Sequence, residues 1–191
     1  MGSDSRLWYA VLIACVALGR IAELVRSARN ARRLRARGGI EAGAGHYPAM
    51  VAVHAGFLAA APLEVFLAGR PFLPVLGLPM LALYAATLAL RCWVIGTLGE
   101  RWCTRVIAVP GAPLVTGGPF RFLPHPNYLA VAIEIPALAL IHGAWLTALV
   151  FGALNGLVLR TRIRVENEAL GRGAASAHGG SPHPESEGRV R

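Results

Sequence analysis

The chain contains no lysine, and charged residues make up only 15% of its 191 positions. A soluble domain of this length exposes a more highly charged surface, so the scarcity of charge argues against a soluble protein. Hydrophobic residues make up 55% of the chain. A chain of this length and composition has room for about four to six membrane spans. We therefore predict an all-α integral membrane protein.

Cysteine is also scarce, and its three positions, Cys15, Cys92 and Cys103, have no Cys-x-x-Cys spacing. This pattern predicts neither a disulfide framework nor a zinc site, and we expect no metal. The formal net charge of +9 comes from an excess of arginine. Because the arginines lie between apolar runs rather than on a separate soluble module, we expect membrane lipids as partners and no nucleic acid.

Apolar segments predict about five transmembrane helices. They cover residues 7–25, 48–68, 72–98, 128–141 and 144–159. The last two are separated by His142-Gly143 and predict a helical hairpin, whose first helix is short for a full crossing. The expected organisation is a three-span region over 1–98, a polar loop with the hairpin and a C-terminal helix over 99–170, and a disordered tail over 171–191.

The arginines predict how the chain is oriented. They concentrate in three polar segments, residues 26–37, 99–127 and 160–164, whereas the other side of the membrane would hold only Arg6 and Arg70. The positive-inside rule places these three segments in the cytoplasm. We therefore expect the N-terminus outside and the C-terminus in the cytoplasm.

Residues 110–128 form a stiff polar loop just before a predicted membrane helix. Pro124 and Pro126 flank His125 and favour extended backbone around it. Glycines at 111, 117 and 118 allow backbone to approach a ligand closely. The alternative is a proline-rich linker followed by a helix-capping Asn127.

A second informative stretch, residues 160–170, follows the last apolar segment directly. Arg162 and Glu166 are four residues apart, so they share one face of a helix. The alternative interpretation is an ordinary ion pair on a helix surface, next to a basic anchor at the membrane edge.

Together the two stretches resemble the isoprenylcysteine carboxyl methyltransferase family and its bacterial relatives, over about residues 98–170. The resemblance rests on Gly118-Pro-Phe120, on His125-Pro-Asn-Tyr128 and on the Arg-x-x-x-Glu element at Arg162–Glu166. It implies a membrane enzyme that uses S-adenosyl-L-methionine, with a cytoplasmic cofactor pocket. The matching cofactor-binding positions are Ala112, Pro113, Leu114, Val115, Phe120, His125, Pro126, Asn127, Tyr128 and Glu166. The resemblance makes Arg162 a substrate-binding residue, and we expect Arg162, Glu166 and His125 to be the catalytic set.

The chain departs from the family pattern at three positions. Phe120 stands where tyrosine is usual, Pro124 where many relatives have arginine, and Asn167 where many have a second glutamate. These departures leave the identity of the methyl acceptor open.

Several ionisable residues fall inside apolar segments, where they usually mark a functional site or pair with one another. They are Arg20, Glu23, His54, Glu64, Arg91 and Glu134. Glu64 and Arg91 are a possible structural pair across the second and third spans. We expect His54, Glu64 or Glu134 to help form the acceptor-binding site.

Residues 20–64 are similar to bacterial alkylresorcinol and alkylpyrone O-methyltransferases. The favoured hypothesis is O-methylation of an alkylated phenol, a pyrone or a carboxylate, by an enzyme of the bacterial inner membrane whose lipophilic substrate enters from the bilayer. The alternatives are a phospholipid N-methyltransferase, an NADPH-dependent membrane reductase and a non-enzymatic membrane subunit.

Overall fold

The computed structural model of the chain describes residues 2–178, and the side chains of residues 4–171. This part of the chain is mostly helical. The helices are α1 (Gly2–Ala36), α2 (Tyr47–Leu67), α3 (Pro74–Leu98), α4 (Pro126–Leu140) and α5 (Trp145–His178). Two short strands, β1 (Ile40–Ala42) and β2 (Val106–Ala108), and 3-10 turns at Ala44–His46, Gly99–Arg101 and Gly118–Arg121 complete the fold.

Four of the helices are long and apolar enough to cross a membrane. The candidate spans are Asp4–Ala36, Ala44–Leu67, Pro74–Arg101 and Trp145–Gly171, with mean hydropathies of 1.3 to 1.8. Helix α4 has only 15 residues and is about 22 Å long, shorter than a hydrocarbon core of about 30 Å. The described residues therefore form a multi-pass membrane protein with four candidate spans and one shorter helix.

Proline and glycine set the boundaries of α2 and α3 close to the predicted ones. Pro74 is the first residue of α3, where its missing N–H costs no hydrogen bond. The same helix ends at Gly99, which has a φ of 53°. Because these signals are local, the predicted spans at 48–68 and 72–98 agree with the helices within two residues.

Helices α1 and α5 extend well beyond their apolar segments. Arginine is a good helix former, and α1 continues through the arginine-rich stretch until the glycines at 38 and 39. Helix α5 continues to His178, so the first eight residues assigned to the tail, 171–178, are helical. The rest of the predicted tail, residues 179–191, lies outside the described residues.

The core lies around α4, which packs against both α3 and α5. Its buried side chains meet those of α1, α2 and α5, and many of them are small. The core includes Tyr9, Ile13, Phe57, Ala61, Val65, Ala137, Leu138, Ala139 and Ala148. Small residues let membrane helices approach closely, so a short helix can be covered on several sides.

The described residues are mostly helical, as the all-α prediction expects, and they also include a two-stranded ribbon that was not predicted. Strands β1 and β2 pair antiparallel, with Glu41 opposite Ile107. Gly39 allows the close approach: a Cβ there would lie 2.7 Å from the backbone oxygen of Leu34 and 2.8 Å from Cγ2 of Ile107. The strands are three residues long and more than sixty residues apart. Local sequence patterns therefore gave no sign of their pairing.

The connections on either side of this ribbon meet at one end of the bundle, which we call the loop end. There Asn30 Nδ2 donates to the carbonyl oxygens of Gly99 and Trp102, at 3.1 and 2.7 Å. Ser27 Oγ lies 2.8 Å from Thr104 Oγ1. These bonds fix the segment 99–109 against the C-terminal part of α1.

Candidate active site at the loop end

A cavity of about 610 Å³ lies at the loop end, between the segment 102–116, the start of α4 and the second half of α5. Every residue that the sequence assigned to the cofactor lines it, together with Arg162. These residues are Ala112, Pro113, Leu114, Val115, Phe120, His125, Pro126, Asn127, Tyr128 and Glu166. Folding thus brings the two stretches singled out in the sequence onto one surface.

Hydrogen bonds join the start of α4 to α5 across this surface. The Tyr128 hydroxyl donates to the Glu166 carboxylate. His125 Nδ1 lies 3.8 Å from Glu166 Oε1, and its Nε2 lies 3.1 Å from Asn167 Oδ1. The rings of His125 and Tyr128 stack with centroids 5.5 Å apart. Glu166 is therefore held at the cavity wall by an imidazole and a phenol.

Arg162 lies one helical turn before Glu166 and is only 5% exposed. Its Nη1 is 3.0 Å from Met50 Sδ, and its guanidinium lies 5.6 Å from the centroid of the Tyr128 ring. No described carboxylate lies within ion-pair distance of it. A buried cation is costly without a partner, so Arg162 is placed to receive a negatively charged or strongly polar ligand group.

The cavity lining is strongly cationic. It contains four arginines, Arg37, Arg101, Arg105 and Arg162, whereas Glu166 is the single carboxylate among the described lining residues. Arg101 is held in place because its Nη1 donates to the Pro113 carbonyl oxygen at 2.6 Å. Arg37 and Arg105 are paired with Glu100 and Glu41, which lie outside the lining. The excess positive charge therefore comes from Arg101 and Arg162, and it favours ligands that carry negative charge.

The ribbon holds Arg105 at the cavity. Its Nη1 donates to Glu41 Oε1 at 2.6 Å, and its guanidinium lies 4.1 Å from the centroid of the Tyr47 ring. Burial raises the pKa of Glu41, but the hydrogen bonds from Arg105 and Arg35 outweigh it and bring that pKa below its usual range. Glu41 is thus held as a carboxylate that orients two arginines.

Asn127 presents an unused hydrogen-bonding atom. Its Oδ1 is buried and has no hydrogen-bond partner, although the residue lines the cavity. The N-cap position of α4 belongs to His125, so the alternative role of Asn127 as the capping residue is wrong. Buried polar atoms rarely lack partners in folded proteins. This oxygen therefore fits a ligand that brings a hydrogen-bond donor.

Two glycines of the loop have different roles. Gly111 has a φ of 75° and lines the cavity. Gly118 has a φ of 58°, and a Cβ there would lie 2.4 Å from Thr97 Oγ1. The loop thus packs onto α3 at Gly118. This packing alone accounts for a glycine at this position, and no ligand is needed to explain it.

Sequence reasoning missed one wall of the cavity. It is formed by Leu34 and Arg37 from the end of α1, by Leu98, by Trp102 and Cys103, and by residues 105–109. The available signal was the apolar, β-branched run Val106-Ile107-Ala108-Val109 inside an otherwise polar segment. Such a run is typical of a strand.

The expected acceptor residues lie away from this lining. Glu134, 7% exposed, belongs to a buried cluster in which Arg20 donates to it and Arg91 Nη1 lies 3.5 Å from its Oε2. Arg91 also binds Glu23, with Nη2 2.7 Å from Oε2. His54 Nδ1 lies 2.8 Å from the Met50 carbonyl oxygen. The structure places neither Glu134 nor His54 at the cavity described above.

Glu64 lies at the opposite end of the bundle. Its carboxylate accepts hydrogen bonds from the backbone N–H of Leu146 at 3.3 Å and of Thr147 at 2.7 Å, in the first turn of α5. Arg70 pairs with it at 3.1 Å. The possible pair between Glu64 and Arg91 does not form, because Glu64 binds a helix N-terminus, where a carboxylate is favourable.

Comparisons with known proteins agree with the resemblance seen in the motifs. Residues 80–172 match the model of the isoprenylcysteine carboxyl methyltransferase (ICMT) family. The chain is 34% identical to the uncharacterized protein YpbQ of Bacillus subtilis (strain 168) over 161 residues, which are 84% of this chain and 95% of that protein. It is 28% identical to an uncharacterized protein of Haemophilus influenzae over 165 residues, 86% of this chain and 95% of that protein.

No solved structure matches the chain significantly. Members of the ICMT family are S-adenosylmethionine-dependent methyltransferases. Its model covers the segment that forms most of the cavity, from α3 to the second half of α5. The chain therefore belongs to the isoprenylcysteine carboxyl methyltransferase family.

Proposed function

We propose that this protein transfers a methyl group from S-adenosylmethionine to an oxygen of a lipophilic acceptor, an alkylated phenol or pyrone or a carboxylate. The observation that carries the proposal is the convergence of residues 112–128 with Arg162 and Glu166 on one cavity. The cavity lies at the end of a membrane-spanning bundle. A water-soluble donor can reach it from the aqueous side, and a lipophilic acceptor from the bilayer.

The lining residues suit the cofactor. Asn127 Oδ1 lacks a partner and can accept a hydrogen bond from an ammonium or hydroxyl group. Glu166 supplies a carboxylate for positive charge, and Phe120 and Tyr128 supply aromatic surface. When bound, S-adenosylmethionine supplies a methyl group activated by its sulfonium. The protein's part is to hold the donor and the acceptor oxygen in line.

Arg162 supports an oxygen acceptor over an amine. Its buried charge would repel a protonated ethanolamine headgroup and would attract a carboxylate or a phenolate. Arg101 acts in the same direction, whereas Arg37 and Arg105 are already paired with Glu100 and Glu41. Phospholipid N-methylation is therefore disfavoured.

Whether methyl transfer needs a general base depends on the acceptor. A carboxylate is already ionised at neutral pH, whereas a phenol, with an ordinary pKa of about 10, must lose a proton. His125 and Glu166 line the cavity 3.8 Å apart and are the groups that can take this proton.

We also propose that the loop end faces the cytoplasm of a bacterial cell. The arginine-rich end of α1 and the segments 99–127 and 160–164 all lie at this end, and the positive-inside rule supports that side. The N-terminus would then lie outside.

Binding of S-adenosylhomocysteine to the detergent-purified protein, measured by calorimetry, tests the cofactor site. We expect saturable binding that His125→Ala and Glu166→Gln each weaken at least about tenfold, since a lost hydrogen bond to a charged group costs about 1.5 kcal/mol or more. Glu168→Gln is the matched control, because it removes the same charge from an exposed position of α5. Absence of binding, or equal effects at 166 and 168, would contradict the proposal.

Transfer of a labelled methyl group to a long-chain alkylated resorcinol tests the acceptor. Arg162→Gln should retain S-adenosylhomocysteine binding and lose most of the transfer, because the acceptor oxygen loses its cation. Transfer to phosphatidylethanolamine but not to the resorcinol would reject an oxygen acceptor.

A further inference from the structure

A second concave surface lies at the loop end, on the outer side of α1. We call it the α1 groove. It is formed by one face of α1 and by the turn that follows α3. Its lining residues are Ala22, Val25, Arg26, Arg29, Asn30, Arg33, Gly99 and Glu100. Asn30 and Arg33 also hold the segment 99–109 through Gly99 and Glu100. None of the groove residues lines the cavity described above.

The groove has an excess of positive charge. Arg33 Nη1 lies 2.5 Å from Glu100 Oε1, and Arg37 Nη2 lies 2.8 Å from Oε2 of the same carboxylate. Arg26 and Arg29 are exposed and form no ion pair or hydrogen bond with any other described side chain. The one acidic residue is therefore already shared between two arginines, and two guanidinium groups are left for a ligand.

The groove also lies at the depth of lipid headgroups. The apolar part of α1, residues 7–25, is about 28 Å long at 1.5 Å per residue, close to the thickness of a hydrocarbon core. Arg26 follows it directly, and Arg33 lies about 10 Å further along the helix axis. The apolar side chains of Leu18 and Ile21, on the preceding turns of α1, are 67% and 57% exposed, and Val25 in the groove itself is 47% exposed. A ligand with an anionic headgroup and apolar chains would fit this surface. Its headgroup would lie at the arginines and its chains along the exposed apolar face of α1.

We propose that the α1 groove binds the headgroup of an anionic phospholipid, with its phosphate between Arg26 and Arg29 and its acyl chains along the adjacent apolar face of α1. Arginine suits a phosphate because its planar guanidinium donates two parallel hydrogen bonds. The bound lipid would be a structural lipid at the protein surface. It would not be the methyl acceptor. This site is independent of the function proposed above.

Native mass spectrometry of the detergent-purified full chain, titrated with phosphatidylglycerol or phosphatidylcholine, tests this site. We expect one saturable phosphatidylglycerol site, with phosphatidylcholine binding at least about tenfold more weakly. Arg26→Ala/Arg29→Ala should lower the phosphatidylglycerol affinity at least about tenfold. The matched control is Arg160→Ala/Arg164→Ala, which removes the same charge from exposed positions of α5 at the same end and should leave the affinity within about twofold.

Three results would overturn the proposal. Equal binding of the two lipids would mean that the anionic headgroup is not recognised. Equal losses in the two double variants would mean that the lipid responds only to net charge. Displacement of the lipid by an equal concentration of inorganic phosphate would assign the groove to a free anion. All four arginines are exposed, so the variants should fold, which thermal melting checks.

Discussion

The Tyr128 hydroxyl donates a hydrogen bond to the Glu166 carboxylate and so ties the first turn of α4 to α5 at the wall of the cavity. The two residues are 38 positions apart in the chain. Because the bond orients the carboxylate, removing it should affect the ligand site as well as the stability of the protein.

Tyr128→Phe should lower the affinity for S-adenosylhomocysteine about tenfold, since a hydrogen bond to a charged group contributes about 1.5 to 3 kcal/mol. Calorimetry measures this change. Tyr9→Phe is a suitable control, because the buried Tyr9 hydroxyl donates to the Leu138 carbonyl oxygen at 3.1 Å, far from the loop end. It should lower the melting temperature and leave the affinity unchanged. Equal affinities for Tyr128→Phe and the wild type would show that the bond does not orient Glu166.

Arg91 balances two carboxylates inside the helical bundle. It binds Glu23 through Nε and Nη2, at 3.0 and 2.7 Å, and lies 3.5 Å from Glu134. Arg91→Ala should destabilise the protein by about 3 to 5 kcal/mol, because it leaves an uncompensated buried charge. Thermal denaturation in detergent measures the loss.

The charge-balanced double variant Glu23→Ala/Arg91→Ala should lose less than the sum of the two single variants, since their contacts are shared. A purely additive result would mean that the cluster is not coupled. In that case Glu134 would again be a candidate for binding the methyl acceptor.

Gly118→Ala should destabilise the loop for two reasons. The φ of 58° costs a residue with a side chain about 1 to 2 kcal/mol, and the new Cβ would lie 2.4 Å from Thr97 Oγ1. Gly117→Ala is the matched control: its φ is −84° and a Cβ there would meet no atom within 4 Å. It should stay within about 0.5 kcal/mol of the wild type.

Melting temperatures can separate the cost of the positive φ from the cost of the contact with Thr97. They should be measured for the two glycine variants and for the double variant Gly118→Ala/Thr97→Ala. Replacing Thr97 removes Oγ1 and should restore part of the loss. A destabilised Gly117→Ala beside an unchanged Gly118→Ala would contradict the packing explanation.

The membrane class and the helix boundaries of α2 and α3 were predictable, because they depend on local signals. Apolar runs identified the spans, and Pro74 and Gly99 fixed the limits of α3. The end of α1 was not predicted, because the charge of the arginines at 26–37 indicates a polar connection, whereas their high helix propensity continues the helix.

The candidate site was predictable as a set of residues and not as a geometry. The motifs named His125, Tyr128, Arg162 and Glu166, but the sequence did not say which of them touch. The structure shows the Tyr128–Glu166 bond and the contact of His125 with Asn167. It also adds Arg101 and Arg105 to the same cavity. These arginines change its charge, which no motif indicated.

The sequence by itself determined a membrane-spanning helical protein, the positions of α2 and α3 and the residues that resemble a cofactor site, because hydrophobicity and the proline and glycine signals act over a few residues. Only the tertiary structure decided the partners of the buried charges. Glu64 binds the first turn of α5, 83 residues away, and Arg91 binds Glu23, 68 residues away. Such choices depend on which helices pack together. The energy of a buried charge is set by its neighbours in space rather than by its neighbours in the chain.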